Sequence, residues 1–152
     1  MPGKKREVII VFLVLALDQL TKLIVTANLT LHDSIPLVKG VFSLTLIHNR
    51  GAAFGIFKNQ LYIFIFISLI AVALIYSMLK NNKSDKLYSL SLSLILAGAL
   101  GNLLDRVFLG YVIDFLDFHI WPVFNIADSA ITCGTLILGW VVLRPNSRKY
   151  AS

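Results

Sequence analysis

Three observations predict an all-α integral membrane protein, a four-transmembrane-helix bundle with a small extracytoplasmic β appendage. The first is composition. The 152 residues are 57% hydrophobic and only 14% charged, with a mean hydropathy of +0.80, whereas soluble domains carry about a quarter charged residues. The second is length. Four apolar runs, 8–27, 61–79, 87–104 and 126–143, each suffice as a helix to cross hydrocarbon, which takes roughly 20 residues, and helices satisfy their own backbone within lipid. The third is charge placement. Lys4, Lys5, Arg6, Lys80, Lys83, Lys86, Arg144, Arg148 and Lys149 all fall on one side of a four-span chain. Positive charge marks the cytoplasmic side, so both termini are expected there, with the loops 28–60 and 105–125 outside. The net charge of +6 therefore reports topology and does not mark a nucleic-acid surface. Short loops leave no room for a second domain, and 1–152 reads as a single membrane-embedded unit.

The first run, VIIVFLVLALDQLTKLIVTA, holds Asp18 and Lys22 four residues apart, on one face where they can pair. Its basic start resembles a secretory leader, but the long apolar run without a small-residue cleavage site predicts a retained anchor helix. Residues 34–38 and 41–46 flank Lys39-Gly40, and the second stretch alternates with period two. This predicts a hairpin on the outer surface. Asn28-Leu29-Thr30 matches a glycosylation acceptor, a pattern short enough to arise by chance. In His48-Asn49-Arg50-Gly51-Ala52-Ala53-Phe54-Gly55 the small residues allow a close backbone approach, and Asn49 and Arg50 add polar reach. The second run has neither charge nor amide and predicts a lipid-facing wall.

The third run ends ILAGALGNLLDRVFLGY. Ala97 and Gly101 form a small-xxx-small face for close helix contact. Asn102 and Arg106 share one side of the outer end, with Asp105 placed to hold the charge of its neighbour Arg106. The fourth run opens Asn125-Ile126-Ala127-Asp128, and Thr132 and Thr135 continue from Asp128 as a polar stripe expected in the bundle interior. The single cysteine, Cys133, lies within this run, so the outer segments must be ordered without a disulfide.

The chemistry concentrates in 111–130, YVIDFLDFHIWPVFNIADSA. Acids at the edge of a membrane helix are costly and mark functional positions. Two carboxylates brought together share a proton and can act as base and acid on one bond. Asp128 with either Asp114 or Asp117 would make such a pair. Asp18, Lys22, Asn49, Arg50, Asn102, Arg106, Asn125 and Asp128 all fall at the outer end of the predicted topology, where unrelated structural residues would scatter in depth.

DQLTK in the first run, NRGAAFG before the second, GALGNLLDR closing the third, then VIDF and FNIAD resemble the five sequence blocks of lipoprotein signal peptidase, signal peptidase II. They occur in the same order and register, and the resemblance covers nearly the whole chain. It implies a membrane-embedded aspartic endopeptidase of the bacterial inner membrane, without metal or other cofactor. Such an enzyme removes the signal peptide from diacylglyceryl-modified prolipoproteins, N-terminal to the lipidated cysteine. On matching positions Asp114 and Asp128 would be the catalytic dyad, and Asn49, Asn102, Arg106 and Asn125 would line the substrate pocket. Asp18, Lys22, Arg50 and Gly51 would support them, and a flap would lie near 51–57. The implied partners are the lipidated substrate, membrane lipids and cyclic peptide inhibitors of the globomycin type, with no nucleic acid. Asp114, not Asp117, fills the acidic position of V-x-D-F, which leaves Asp117 as a solvated surface charge. The connection LDFHIWPV between the acidic motifs is short for the family.

Rival chemistries have weaker support in the residues. His32, His48 and His119 fall in outer loops, away from Cys133, and a metal site from Asp114, Asp117 and His119 lacks an H-E-x-x-H pattern. A proton- or cation-coupled transporter would need ionisable groups continuing through the inner half of the bundle. A purely packing scaffold would not need two acids and two amides at one depth.

Overall fold

The computed structural model describes residues 2–51, 60–81 and 85–144. In chain order the elements are α1 (Pro2–Asn28), β1 (Ser34–Val38), β2 (Phe42–Asn49), α2 (Leu61–Asn81), α3 (Lys86–Phe108), β3 (Val112–Asp117) and α4 (Ile126–Leu143). The four helices are all long and apolar enough to cross a membrane. The predicted runs thus become helices, with α1 and α3 extending past them at both ends.

Side chains in the flanking sequence set the helix starts. Asp85 caps α3, its carboxylate accepting from the main-chain N–H of Leu87 at 2.8 Å and Tyr88 at 2.9 Å. Asn125 caps α4 through a reciprocal capping box with Asp128. The expected hairpin forms. β1 and β2 pair antiparallel across the Lys39-Gly40 turn, where Gly40 adopts φ +75°, a conformation that favours glycine. Pro36, lacking an N–H, lies on the outer strand of the sheet, where it breaks no ladder bond to a further neighbour.

The 105–125 segment differs from the expected loop. α3 continues to Phe108, and Val112–Asp117 becomes a third strand beside β2 in the order β1-β2-β3. Val112, Ile113, Asp114 and Phe115 are all buried, so this strand shows no clean polar–apolar alternation. It closes a cluster of Ile113 and Phe115 with Leu46 of β2 and Val25 of α1, which seats the sheet on one end of the bundle, opposite the chain's N-terminus.

α3 is the central helix, packing against α1, α2 and α4. A Cβ on Gly98 would collide with the carbonyl oxygen of Ala127, and one on Gly101 would stand 2.6 Å from Asp18 Oδ2. Gly98 lets α4 approach α3 at backbone distance, and Gly101 makes room for the Asp18 side chain of α1. α2 has no buried residue, as its composition predicted. An apolar cavity of about 500 Å³ runs along its inner half, with Val11, Phe12, Leu15, Tyr76 and Leu96 among its walls. Thr132 and Thr135 depart from expectation, since both are exposed on the outside of α4. The interior face of α4 is formed by small residues, Ala127, Ala130 and Gly134, because backbone-distance packing on α3 leaves no room for a threonine stripe.

Candidate active site

Five elements meet at the sheet-bearing end of the bundle. α1 supplies Asp18, Gln19 and Lys22, α3 supplies Asn102, Asp105 and Arg106, β3 supplies Asp114, and the start of α4 supplies Asn125 and Asp128. Asn49 reaches in from the end of β2. Asp18, Lys22, Asn102, Asp105, Asp114 and Asn125 are buried, whereas Asp128 is only partly so.

Asp114 accepts from Asn49 Nδ2 at 2.9 Å and from Asn125 Nδ2 at 2.7 Å. Asp128 accepts from Asn102 Nδ2 at 2.7 Å and from the main-chain N–H of Asn125 at 3.3 Å. Asn125 links the two acids. Its amide nitrogen also donates to Asn102 Oδ1 at 3.1 Å and to the Ile113 carbonyl at 3.1 Å, while its Oδ1 accepts from Asp128 N at 2.9 Å. Burial pushes the Asp114 carboxyl up to about 7, and the neighbouring Asp128 carboxylate adds to the rise. The donors Asn49 and Asn125 and the charge of Lys22 restrain it. A carboxyl so placed exchanges its proton near neutral pH, as general acid–base work requires.

A second layer lies beneath these acids. Lys22 Nζ is 2.8 Å from Asp18 Oδ2, 2.8 Å from Asp105 Oδ2 and 3.3 Å from Asn102 Oδ1. The expected Asp18–Lys22 pair is present, and Asp105 joins it. Asp105 therefore makes its ion pair with Lys22, where the expectation was Arg106, and stays only within electrostatic range of the arginine, because consecutive helical residues point in different directions. Arg106 instead donates to the Asn102 carbonyl at 3.3 Å and lies 5.3 Å from the Phe64 ring centroid, within electrostatic range of Asp114 and Asp128. Sequence reading missed Asp105 and Gln19 as parts of the site. The signal was available in Lys22, since an ammonium has three donors and its partner Asp18 satisfies one.

Asp117 is not a free surface charge. It is half-buried, accepting from Thr45 Oγ1 at 2.8 Å and from the His119 main-chain N–H at 2.8 Å. Burial alone would raise its carboxyl, but these donors and the His119 ring hold it below the usual range. Asp114 and Asp117 share no partner. A register shift between Leu44 and Ile47 of β2 separates their surroundings, so that Asp117 faces Thr45 while Asp114 faces Asn49. Of the remaining predicted residues, Arg50 is exposed at the end of β2, and buried Gly51 donates its N–H to Asn49 Oδ1 at 3.0 Å. The rest of the expected flap, 52–57, lies outside the described residues. Below the site, the buried Ser91 and Ser93 hydroxyls fold back onto carbonyls of their own helix and do not extend the carboxylates inward.

The chain as a whole matches known proteins in sequence and in fold. The family model described as signal peptidase (SPase) II matches residues 10–144. The lipoprotein signal peptidase of Halothermothrix orenii is 45% identical over 130 residues, spanning 86% of this chain and 90% of that protein. The one from Francisella tularensis subsp. novicida is 48% identical over 145 residues and 89% of each chain. Among solved structures, a bacterial membrane enzyme determined by the in meso method at 2.3 Å resolution superposes with a TM-score of 0.89 at 32% identity, covering 97% of this chain and 93% of that one.

Proposed function

The chain belongs to the signal peptidase II family, and from that membership we propose that it cleaves prolipoproteins on the N-terminal side of the diacylglyceryl-cysteine, with Asp114 and Asp128 as the catalytic dyad. The observation that carries the assignment of residues is the pair itself. Two carboxylates from β3 and α4 both accept from Asn125, Asp114 from its side-chain amide and Asp128 from its main-chain N–H, and one of them is poised near neutrality.

In the proposed mechanism the ionised carboxylate removes a proton from a water molecule, and the hydroxide adds to the scissile carbonyl carbon. The protonated carboxyl then delivers its proton to the departing amine as the C–N bond breaks. The single proton belongs to the pair, so neither residue owns the acid role. Asn49, Asn102 and Asn125 hold the carboxylates, and Arg106 with Phe64 offers a charged and apolar wall to the substrate backbone. The substrate's acyl chains stay in the outer leaflet and its signal peptide in the bundle groove, and binding both positions the bond at the dyad.

The chain is a multi-pass bacterial membrane protein. We place it in the inner membrane with both termini cytoplasmic, on the support of its one-sided lysine and arginine residues. Residues 1–152 act as a single peptidase domain. Membrane lipids cover α2, and cyclic peptides of the globomycin type compete for the dyad.

The test is cleavage of a lipidated prolipoprotein by the purified protein, read as a mass loss equal to the signal peptide. Asp114→Asn and Asp128→Asn should each abolish it, the double variant should lose little more, and Asp117→Asn should keep substantial activity. Cleavage that survives Asp128→Asn but is lost in Asp117→Asn would reassign the pair.

A further inference from the structure

Beneath the dyad lies a closed polar ring that the cleavage chemistry does not use. Lys22 Nζ bridges Asp18 Oδ2 and Asp105 Oδ2, both at 2.8 Å. Gln19 Nε2 bridges the same two carboxylates from the other side, 3.1 Å from Asp18 Oδ2 and 3.1 Å from Asp105 Oδ1. Each carboxylate also grips main chain from a different element. Asp18 Oδ1 accepts the Ala127 N–H at 2.8 Å, and Asp105 Oδ2 accepts the Ile113 N–H at 3.1 Å. Ala127 immediately precedes Asp128, and Ile113 immediately precedes Asp114.

We infer that Gln19 and Asp105 are positioning residues, which with Asp18 and Lys22 fix the separation of the two reacting carboxylates by holding the main chain one residue ahead of each. The inference rests on the reading of Asp114 and Asp128 as the dyad.

Stability alone is a weak reason for such a ring. Desolvating two carboxylates and an ammonium offsets most of their attraction, and apolar side chains of similar volume often pack as well. An apolar contact has no direction, whereas the ring points two N–H acceptors at fixed places on β3 and α4. The Ala127 N–H is one of the unpaired donors in the first turn of α4, so Asp18 sets where that helix begins relative to α1. Asp105 does the same for β3 relative to α3. Lys22 and Gln19 tie the two grips together. A loosened ring lets Asp128 drift from Asp114 while both keep their own amide donors.

The charged groups facing the dyad are Asp18 and Lys22 from α1 and Asp105 and Arg106 from α3. Substituting any of them changes the local charge along with the geometry. Gln19 is neutral, so Gln19→Leu perturbs the ring alone. Two carboxylates sharing a proton titrate with apparent pKa values split by their mutual repulsion, and the split shrinks as they move apart. In Gln19→Leu, kcat on a lipidated prolipoprotein should fall by about 10- to 100-fold, the scale of an ångström misplacement, while KM changes by less than about twofold. The two limbs of the pH–rate bell should move toward each other. If Gln19→Leu does not purify folded, Gln19→Met, nearer in length, carries the same test. Asp114→Asn and Asp128→Asn run alongside. Cleavage surviving in either removes the dyad and this inference with it. Dead dyad variants together with unmoved limbs in the folded Gln19 variant overturn the ring alone.

Discussion

Replacing Asn125 by alanine removes the side chain that donates to the Asp114 carboxylate and accepts from the Asp128 main chain, the two acids of the proposed dyad. Two losses in stability follow. The cap of α4 goes, at about 0.5–2 kcal/mol, and the charge-assisted bond to Asp114 Oδ1 at 2.7 Å goes, at about 1.5–3 kcal/mol. Together they lower the unfolding free energy by roughly 2–5 kcal/mol. The second loss also has a sign in pH. Asn125 donates to the ionised form of Asp114, which restrains a carboxyl already raised to about 7. Without that donor the ionised form is less favoured and the pKa rises further. At 1.36 kcal/mol per unit, the bond corresponds to about one to two units, so the alkaline limb of the kcat/KM profile, set by loss of the pair's shared proton, should shift to higher pH by that much. Asn49→Ala removes a donor of similar length, 2.9 Å, but Asn49 is only half-buried and water can replace it, so its shift should be smaller. The assay is cleavage of a lipidated prolipoprotein across pH, with a thermal melt on each purified variant. An unmoved alkaline limb in folded Asn125→Ala, or a larger shift in Asn49→Ala, would refute the account of how Asp114 is tuned.

Gly98→Leu should cost about 1–3 kcal/mol through overpacking, because its Cβ meets the Ala127 carbonyl, which is backbone and cannot rotate away. Activity should fall with stability, since Ala127 adjoins Asp128, and a wild-type melt would show that the helices do not approach as described. Asp114→Asn should melt higher than wild type at pH 8, with the difference closing toward pH 4. The folded chain holds the Asp114 proton up to about pH 7, whereas the unfolded chain releases it near 3.8, so stability from this group falls as pH rises through that window. A difference that grows toward pH 4 would contradict it. In a Cys133→Ser background, a cysteine at Lys39 should react with a membrane-impermeant reagent added to spheroplasts and one at Lys80 should not. The reverse pattern would invert the topology.

Much of this was legible without coordinates because a bilayer is a severe solvent. It demands four apolar runs of set length, punishes misplaced charge, and so writes the topology into composition. The gathering of Asp18, Lys22, Asn102, Arg106, Asn125 and Asp128 at one end of the bundle followed from that alone, and the five blocks then named the family. Local chemistry also predicted correctly where it acts over a few residues, as in the Lys39-Gly40 turn and the Asp18–Lys22 pair. What failed needed partners distant in sequence. Residues 112–117 read as loop because a strand buried at its inner end loses the period-two pattern, and only pairing with β2 makes it a strand. The Thr132 and Thr135 stripe was assigned inward because periodicity shows that a face exists, not which neighbour it meets. Asp105 was assigned to Arg106 by adjacency, yet it binds Lys22, 83 positions earlier in the chain. Periodicity and motif register are properties of one segment and survive in the sequence. The direction of a buried carboxylate is settled by which desolvated donors surround it, and those donors come from five elements that only the fold brings together.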